Sequence, residues 1–202
     1  MAFNPKQYFK NYFKKKSTFG IVTDILFVVL VALLVNPGTR TEVSSLFIKL
    51  TSLPPSTLDV DEQYSINNET KNWVLYDMQG KEFTFAELNE KPVFLNLWAS
   101  WCPPCIAELP GIQELHQAYG DKISFILLSN ESHTIIKDFV EKKGYQDLNF
   151  YYSPNIPSDF ATQSIPATFV ISTESIVVVN KKGAARWNSS KMNNLLDGLL
   201  KN

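Results

Sequence analysis

Apolar positions along this chain fall into segments of different period, and the period sets the element each segment predicts. Residues 19–35 are apolar almost without break, interrupted only by Gly20, Thr23 and Asp24. Residues 93–98 are a short, mostly apolar run, consistent with a strand covered on both faces. Past it, Ile106, Leu109, Ile112 and Leu115 recur at about helical spacing, with Pro110 expected to kink that helix. Residues 123–128 predict another buried strand. Residues 134–143 predict a helix with Ile135, Ile136, Phe139 and Val140 on one face and Gly144 at its end. A short strand is expected within 148–152. Upstream, 72–76 and 82–84 read as a hairpin around the turn Asp77-Met78-Gln79-Gly80, and 168–171 with 176–180 read as a second strand pair. A last helix begins near Asn188 or Ser189, with Met192, Leu195, Leu196, Leu199 and Leu200 inward. Helices and strands alternate and then strands pair, so the fold class is α/β.

The N-terminal run differs from the rest. Lys6, Lys10, Lys14, Lys15 and Lys16 precede it, and as a helix it spans about 26 Å, near the short limit for crossing a bilayer. A signal peptide's apolar region is usually shorter, and no pair of small residues at cleavage spacing follows Val35, so an uncleaved signal anchor is expected. Five lysines before the run against Arg40 and Lys49 after it place the N-terminus in the cytoplasm and the remaining chain outside it, at a cell (inner) membrane. Residues 36–63 are rich in Ser, Thr and Pro, with Pro54-Pro55 in the middle, and read as a juxtamembrane tether. The apolar patch 46–50 fits either a membrane-surface turn or the start of a strand. The expected organisation is a basic tail (1–18), a transmembrane anchor (19–35), a linker (36–63) and one globular domain (64–202).

With 202 residues, 45% hydrophobic content and a formal charge of −1, the chain carries no nucleic-acid signature. Its chemistry concentrates in Trp101-Cys102-Pro103-Pro104-Cys105, which holds the only two cysteines. A pair at this spacing can close as a disulfide and reopen, and at a helix N-terminus the aligned N–H groups favour a thiolate, which makes Cys102 the nucleophile. Zinc is the alternative, but a structural site wants four ligands, and His116 and His133 have no ligand spacing. No cofactor is expected. Outside the cytoplasm such a dithiol is oxidised unless electrons cross the membrane to it.

Residues Val93-Phe94-Leu95-Asn96-Leu97-Trp98-Ala99-Ser100-Trp101-Cys102-Pro103-Pro104-Cys105, followed by Glu108-Leu109-Pro110 and later by Ile165-Pro166-Ala167-Thr168, resemble the TlpA/ResA group of membrane-anchored thioredoxin-like proteins. The resemblance covers roughly residues 72–200. It implies a thioredoxin-like fold, a central mixed sheet flanked by helices, with an N-terminal hairpin and a central βα insertion. It further implies disulfide exchange with other extracytoplasmic proteins, usually as a reductant, with apocytochrome c a leading substrate and a membrane-embedded electron donor. In that fold the Ile165–Pro166 bond is cis and faces the cysteines, so Ile165 and Pro166 would bind an extended substrate segment. Trp101 would stand exposed beside the sulfurs, and Trp98 in the core.

Two departures matter. Cytoplasmic thioredoxins place a buried aspartate where Asn96 stands, and Asn96 cannot ionise; the resemblance gives a comparable proton-relay task to Glu108, one turn past Cys105. The plain alternative for Glu108 is a solvated acid at the helix N-terminus. Where many members close the last hairpin with Asp and Gly, this chain has Ser172-Thr173-Glu174-Ser175. The two prolines lack N–H groups, so the Cys105 amide is the nearest donor to the Cys102 sulfur, which predicts a reducing couple. Two rival functions are a membrane-tethered metal-binding or delivery module and a peroxide-reducing enzyme on the same fold.

Overall fold

The computed structural model describes residues 17–35 and 52–201, in two units, Met1–Val43 and Ser44–Asn202. In the first unit, α1 (Thr18–Val35) is helical over 18 residues, and Phe19, Leu26, Phe27, Leu30 and Val35 are among its exposed large apolar side chains. The Thr23 hydroxyl donates to the carbonyls of Phe19 and Gly20, which satisfies it inside the helix. Among the described residues no helix is long and apolar enough to cross a membrane. At 1.5 Å per residue α1 reaches about 27 Å, short of a hydrocarbon layer of about 30 Å. The lysine-rich tail and the 46–50 patch lie outside the described residues.

The second unit is one sheet with helices on it. Its strands are β1 (Tyr64–Ser65), β2 (Val74–Asp77), β3 (Glu82–Thr84), β4 (Val93–Leu97), β5 (Ser124–Ser129), β6 (Phe150–Tyr152), β7 (Ala167–Ile171) and β8 (Ile176–Lys182). They lie in the order β1-β8-β7-β4-β5-β6-β2-β3. β4 runs parallel to β5 and antiparallel to β7, so the sheet is mixed, and the predicted hairpin forms the far edge as β2 and β3. Helices α2 (Asn68–Lys71), α3 (Phe85–Leu88), α4 (Pro103–Tyr119), α5 (His133–Lys143) and α6 (Ser190–Leu199) connect and cover it. This is the α/β arrangement the residue pattern predicts.

Side-chain alternation explains why every residue of β4 is buried. Val93, Leu95 and Leu97 enter one core with Ile126, Leu128, Phe169 and Phe160. Phe94 and Trp98 enter the other with Leu109, Ile112, Leu115, Phe125, Met192 and Leu196. With a period of two, Asn96 must fall on the second face, beneath α4. Thr168 stands directly opposite it on β7.

Several expectations change in detail. β4 stops at Leu97 rather than continuing to 98, because Trp98 and Ala99 already lead the chain out toward α4. α4 is one helix from Pro103 to Tyr119 with Pro110 inside it, and Leu109, Ile112 and Leu115 on either side of that proline are buried in the core. Ile135 is exposed while its neighbour Ile136 is buried, as adjacent helix positions cannot share a face. Part of the expected tether lies on the domain: Leu58 N–H donates to the Val178 carbonyl, Arg186 N–H to the Leu53 carbonyl, and Pro55 is buried. The unforeseen β1 then pairs with β8. In the last hairpin Ser175 takes φ 64°, the left-handed conformation for which glycine would be usual, and its hydroxyl is held by Asn89 Oδ1 at 2.9 Å.

Candidate functional site

Cys102 is the N-cap of α4, and Pro103 and Pro104 occupy the first helical positions, where a missing N–H costs nothing. Cys102 and Cys105 are joined as a disulfide with their Cα atoms 5.3 Å apart. Cys102 Sγ accepts the Cys105 backbone N–H at 3.3 Å, which is the donor left after the prolines have removed theirs. Cys105 is fully buried and Cys102 is 3% exposed, so both residues of the closed disulfide are buried. Trp101 beside it is 69% exposed, whereas Trp98 at 2% belongs to the core.

Across from the sulfurs, the Ile165–Pro166 peptide bond is cis, and the Ile165 carbonyl oxygen lies 3.9 Å from Cys102 Sγ. In the disulfide this is a contact; with Cys102 as a thiol, the S–H could donate across it. The fold thus brings Ile165 to the disulfide from a position 63 residues beyond Cys102.

Glu108 is a buried acid, 4% exposed, in the interior face of α4. Its Oε2 accepts the backbone N–H of Ala185 at 3.1 Å and the indole N–H of Trp187 at 2.9 Å; its Oε1 accepts Asn96 Nδ2 at 2.8 Å. Burial pushes the carboxyl up to about 7, against the opposing pull of the hydrogen bonds from Trp187, Asn96 and Ala185 and of the Lys181 charge. A solvated acid at a helix terminus is therefore excluded. An acid that titrates near neutrality, one helical turn past Cys105, can take and return a proton at working pH.

A second carboxylate secures the loop into α4. Glu131, between β5 and α5, accepts the Ser100 backbone N–H and the Ser100 hydroxyl, each at 2.7 Å, and the Ser129 hydroxyl at 3.2 Å. Sequence reasoning missed Glu131, Ala185 and Trp187, because their partners are 31 and 77–79 residues away. The one available signal was a tryptophan just ahead of a serine-capped helix. His116 packs edge-on against Phe125, and His133 Nε2 lies 2.7 Å from the Met78 carbonyl oxygen. Among the described residues no group of three or more His, Cys, Asp or Glu side chains could hold a metal ion.

Comparison with known proteins bears on this geometry. The Redoxin family matches residues 64–196, nearly all of the sheet unit. The thiol-disulfide oxidoreductase ResA of Bacillus cereus is 32% identical over 123 residues, which cover 58% of this chain and 69% of that protein. The thioredoxin-like protein YneN of Bacillus subtilis is 24% identical over 116 residues, covering 54% and 66%. Among solved structures, a thiol:disulfide interchange protein of Chlorobium tepidum superposes with a TM-score of 0.53 at 20% identity, over 74% of this chain and 96% of that one. The exposed lipoprotein thioredoxin Etrx1 of Streptococcus pneumoniae gives 0.52 at 22%, over 64% and 98%. These two structures establish the thioredoxin-like fold, and the family match and the ResA identity carry the rest. A two-cysteine helix cap facing a cis-proline loop, on this sheet and with these relatives, places the chain in the Redoxin family with the ResA-like thiol-disulfide oxidoreductases.

Proposed function

We propose that this oxidoreductase works outside the cytoplasm as a reductant of disulfides in partner proteins, with Cys102 as nucleophile, Cys105 as resolving thiol and Glu108 as proton relay. The observation that carries the reading is the pairing of a buried resolving cysteine with a buried acid one turn away whose carboxyl titrates near 7. Cys102 as thiolate attacks one sulfur of a substrate disulfide; that bond breaks, a mixed disulfide forms, and the substrate's other sulfur leaves and takes a proton from water. Cys105 then gives its proton to Glu108 and attacks Cys102 Sγ, so the Cys102–Cys105 bond forms and the substrate leaves fully reduced. Two electrons pass to the substrate, and the protein ends in the disulfide form.

Trp101, Ile165 and Pro166 line the approach: the exposed indole offers an apolar platform, and the Ile165 backbone offers hydrogen bonds to an extended segment. Regeneration requires two electrons, which in an oxidising compartment a membrane-embedded donor would supply. The anchor belongs to the same proposal. α1 exposes large apolar side chains such as Ile25, Leu26, Phe27 and Val28, and five lysines precede it. Apocytochrome c, whose haem-attachment thiols must be reduced, is a suitable substrate.

Substitution Cys105→Ala in intact cells tests the reading. The mixed disulfide can then form and cannot resolve, so adducts released by dithiothreitol should accumulate and should vanish when Cys102 is also replaced. A Cys105→Ala protein that captures no extracytoplasmic partner would refute the substrate role.

A further inference from the structure

The surroundings of Glu108 restrict where its proton can go. Oε2 faces two N–H donors, the Ala185 amide and the Trp187 indole, and neither can accept. A proton on Oε2 would be driven against theirs, so Oε1 is the oxygen that gains and loses it. Among the described residues the side chain bonded to Oε1 is Asn96, through Nδ2 at 2.8 Å. The same Nδ2 donates to Thr168 Oγ1 at 2.8 Å, and Asn96 Oδ1, on a residue with no exposed surface, has no hydrogen-bond partner among the described residues.

An orphaned amide oxygen is costly in a dry interior, and here it marks the unused half of a reversible group. An asparagine amide turned half a revolution presents its oxygen where its nitrogen was, and a threonine hydroxyl donates as readily as it accepts. Asn96 at Oε1, and Thr168 behind it, can therefore reverse polarity, while both partners of Oε2 are fixed donors.

We propose that Asn96 is a positioning residue for proton exchange at Glu108, turning its amide over as Oε1 is protonated and deprotonated. With Glu108 ionised, Nδ2 donates to Oε1 and to Thr168. With Glu108 protonated, the acid O–H and the Thr168 hydroxyl both donate to Oδ1. Each state leaves one end of the amide unpaired, so neither is locked and the proton moves without rearranging the backbone. Lys181 on β8 is the charged group bearing on this acid, Cys105 lies one turn before it on α4, and its partners from β4 and from the segment after β8 are uncharged. The inference rests on Glu108 as the relay for Cys105, and its test needs no substrate.

In the full chain in detergent, with the disulfide closed, the carboxyl infrared band identified by its loss in Glu108→Gln gives the protonation midpoint of Glu108. The Asn96 side-chain amide resonance should titrate with that same midpoint and become independent of pH in Glu108→Gln. Asn96→Leu removes a hydrogen bond from both states, and because the bond to the ionised acid is the stronger, the midpoint should rise by about one pH unit. If Asn96→Leu does not fold, Thr168→Val, which removes the second reversing partner, should shift it in a smaller amount. An amide signal that stays constant while the carboxyl titrates, or a midpoint unmoved in these variants, overturns the proposal. Loss of disulfide reduction with the coupled titration intact would instead count against the reading of the function.

Discussion

Replacing Glu108 by glutamine removes one titrating group while keeping nearly the same shape, and its effect on stability has a sign set by the structure. Burial raises the Glu108 carboxyl from 4.5 to about 7, so the folded state holds this proton more tightly than the unfolded state does. Stability must then fall as pH rises through that window and level off above it. The interval is about 2.5 pH units at about 1.4 kcal/mol each, or about 3.5 kcal/mol in all, of which about 2.5 kcal/mol falls between pH 5 and pH 8. The glutamine variant lacks this loss. Its carbonyl can accept from Ala185 and Trp187, and its amide N–H can donate to the unpaired Asn96 oxygen once that side chain turns over. Urea unfolding of oxidised protein, followed by tryptophan fluorescence, measures both forms. All four tryptophans lie between residues 73 and 187, so the signal reports the sheet unit alone. The stability difference should move by about 2.5 kcal/mol in favour of the variant from pH 5 to pH 8. A difference constant across that range would show that Glu108 titrates at the same pH folded and unfolded, and the relay argument would lose its basis.

Two further outcomes follow from the cysteine loop. Glu131→Ala leaves the Ser100 N–H without the carboxylate that accepts it at 2.7 Å, so the variant should lose about 1–3 kcal/mol of stability and reduce disulfides more slowly. Urea unfolding and an exchange assay would show it, and unchanged values in both would remove Glu131 from the site's support. With the Cys105 amide as the N–H donor to Cys102 Sγ among the described residues, the thiolate is weakly stabilised. The couple should equilibrate with glutathione buffers nearer about −270 mV than the about −120 mV of strong oxidants, and a value near the latter would contradict this account.

The amino-acid order alone determined what depends on neighbours within a turn or a strand. Two cysteines spaced for a small ring, prolines that strip away donors, and an apolar run leading into a helix are local facts, and they fix the redox motif, the strands on either side and the α/β class. Gly144 at φ 78° ends α5 where the pattern places its stop, and Ser189 caps the last helix by accepting the Met192 N–H. Strand alternation also puts Asn96 on the same face of β4 as Phe94 and Trp98.

Tertiary structure decided the chemistry of the acid. Glu108 could have stood in water, which would have left it an ordinary carboxylate. It sits instead on the inner face of α4, where β4 and β7 bring Asn96 and Thr168 into register and the segment after β8 brings Ala185 and Trp187 against its other oxygen. Desolvation and the geometry of donors belong to the whole packed interior, and no stretch of sequence carries either. The same holds for the Ile165 carbonyl oxygen facing Cys102, and for the end of the tether lying on the sheet: contacts across the fold come from chain closure, which local pattern cannot specify.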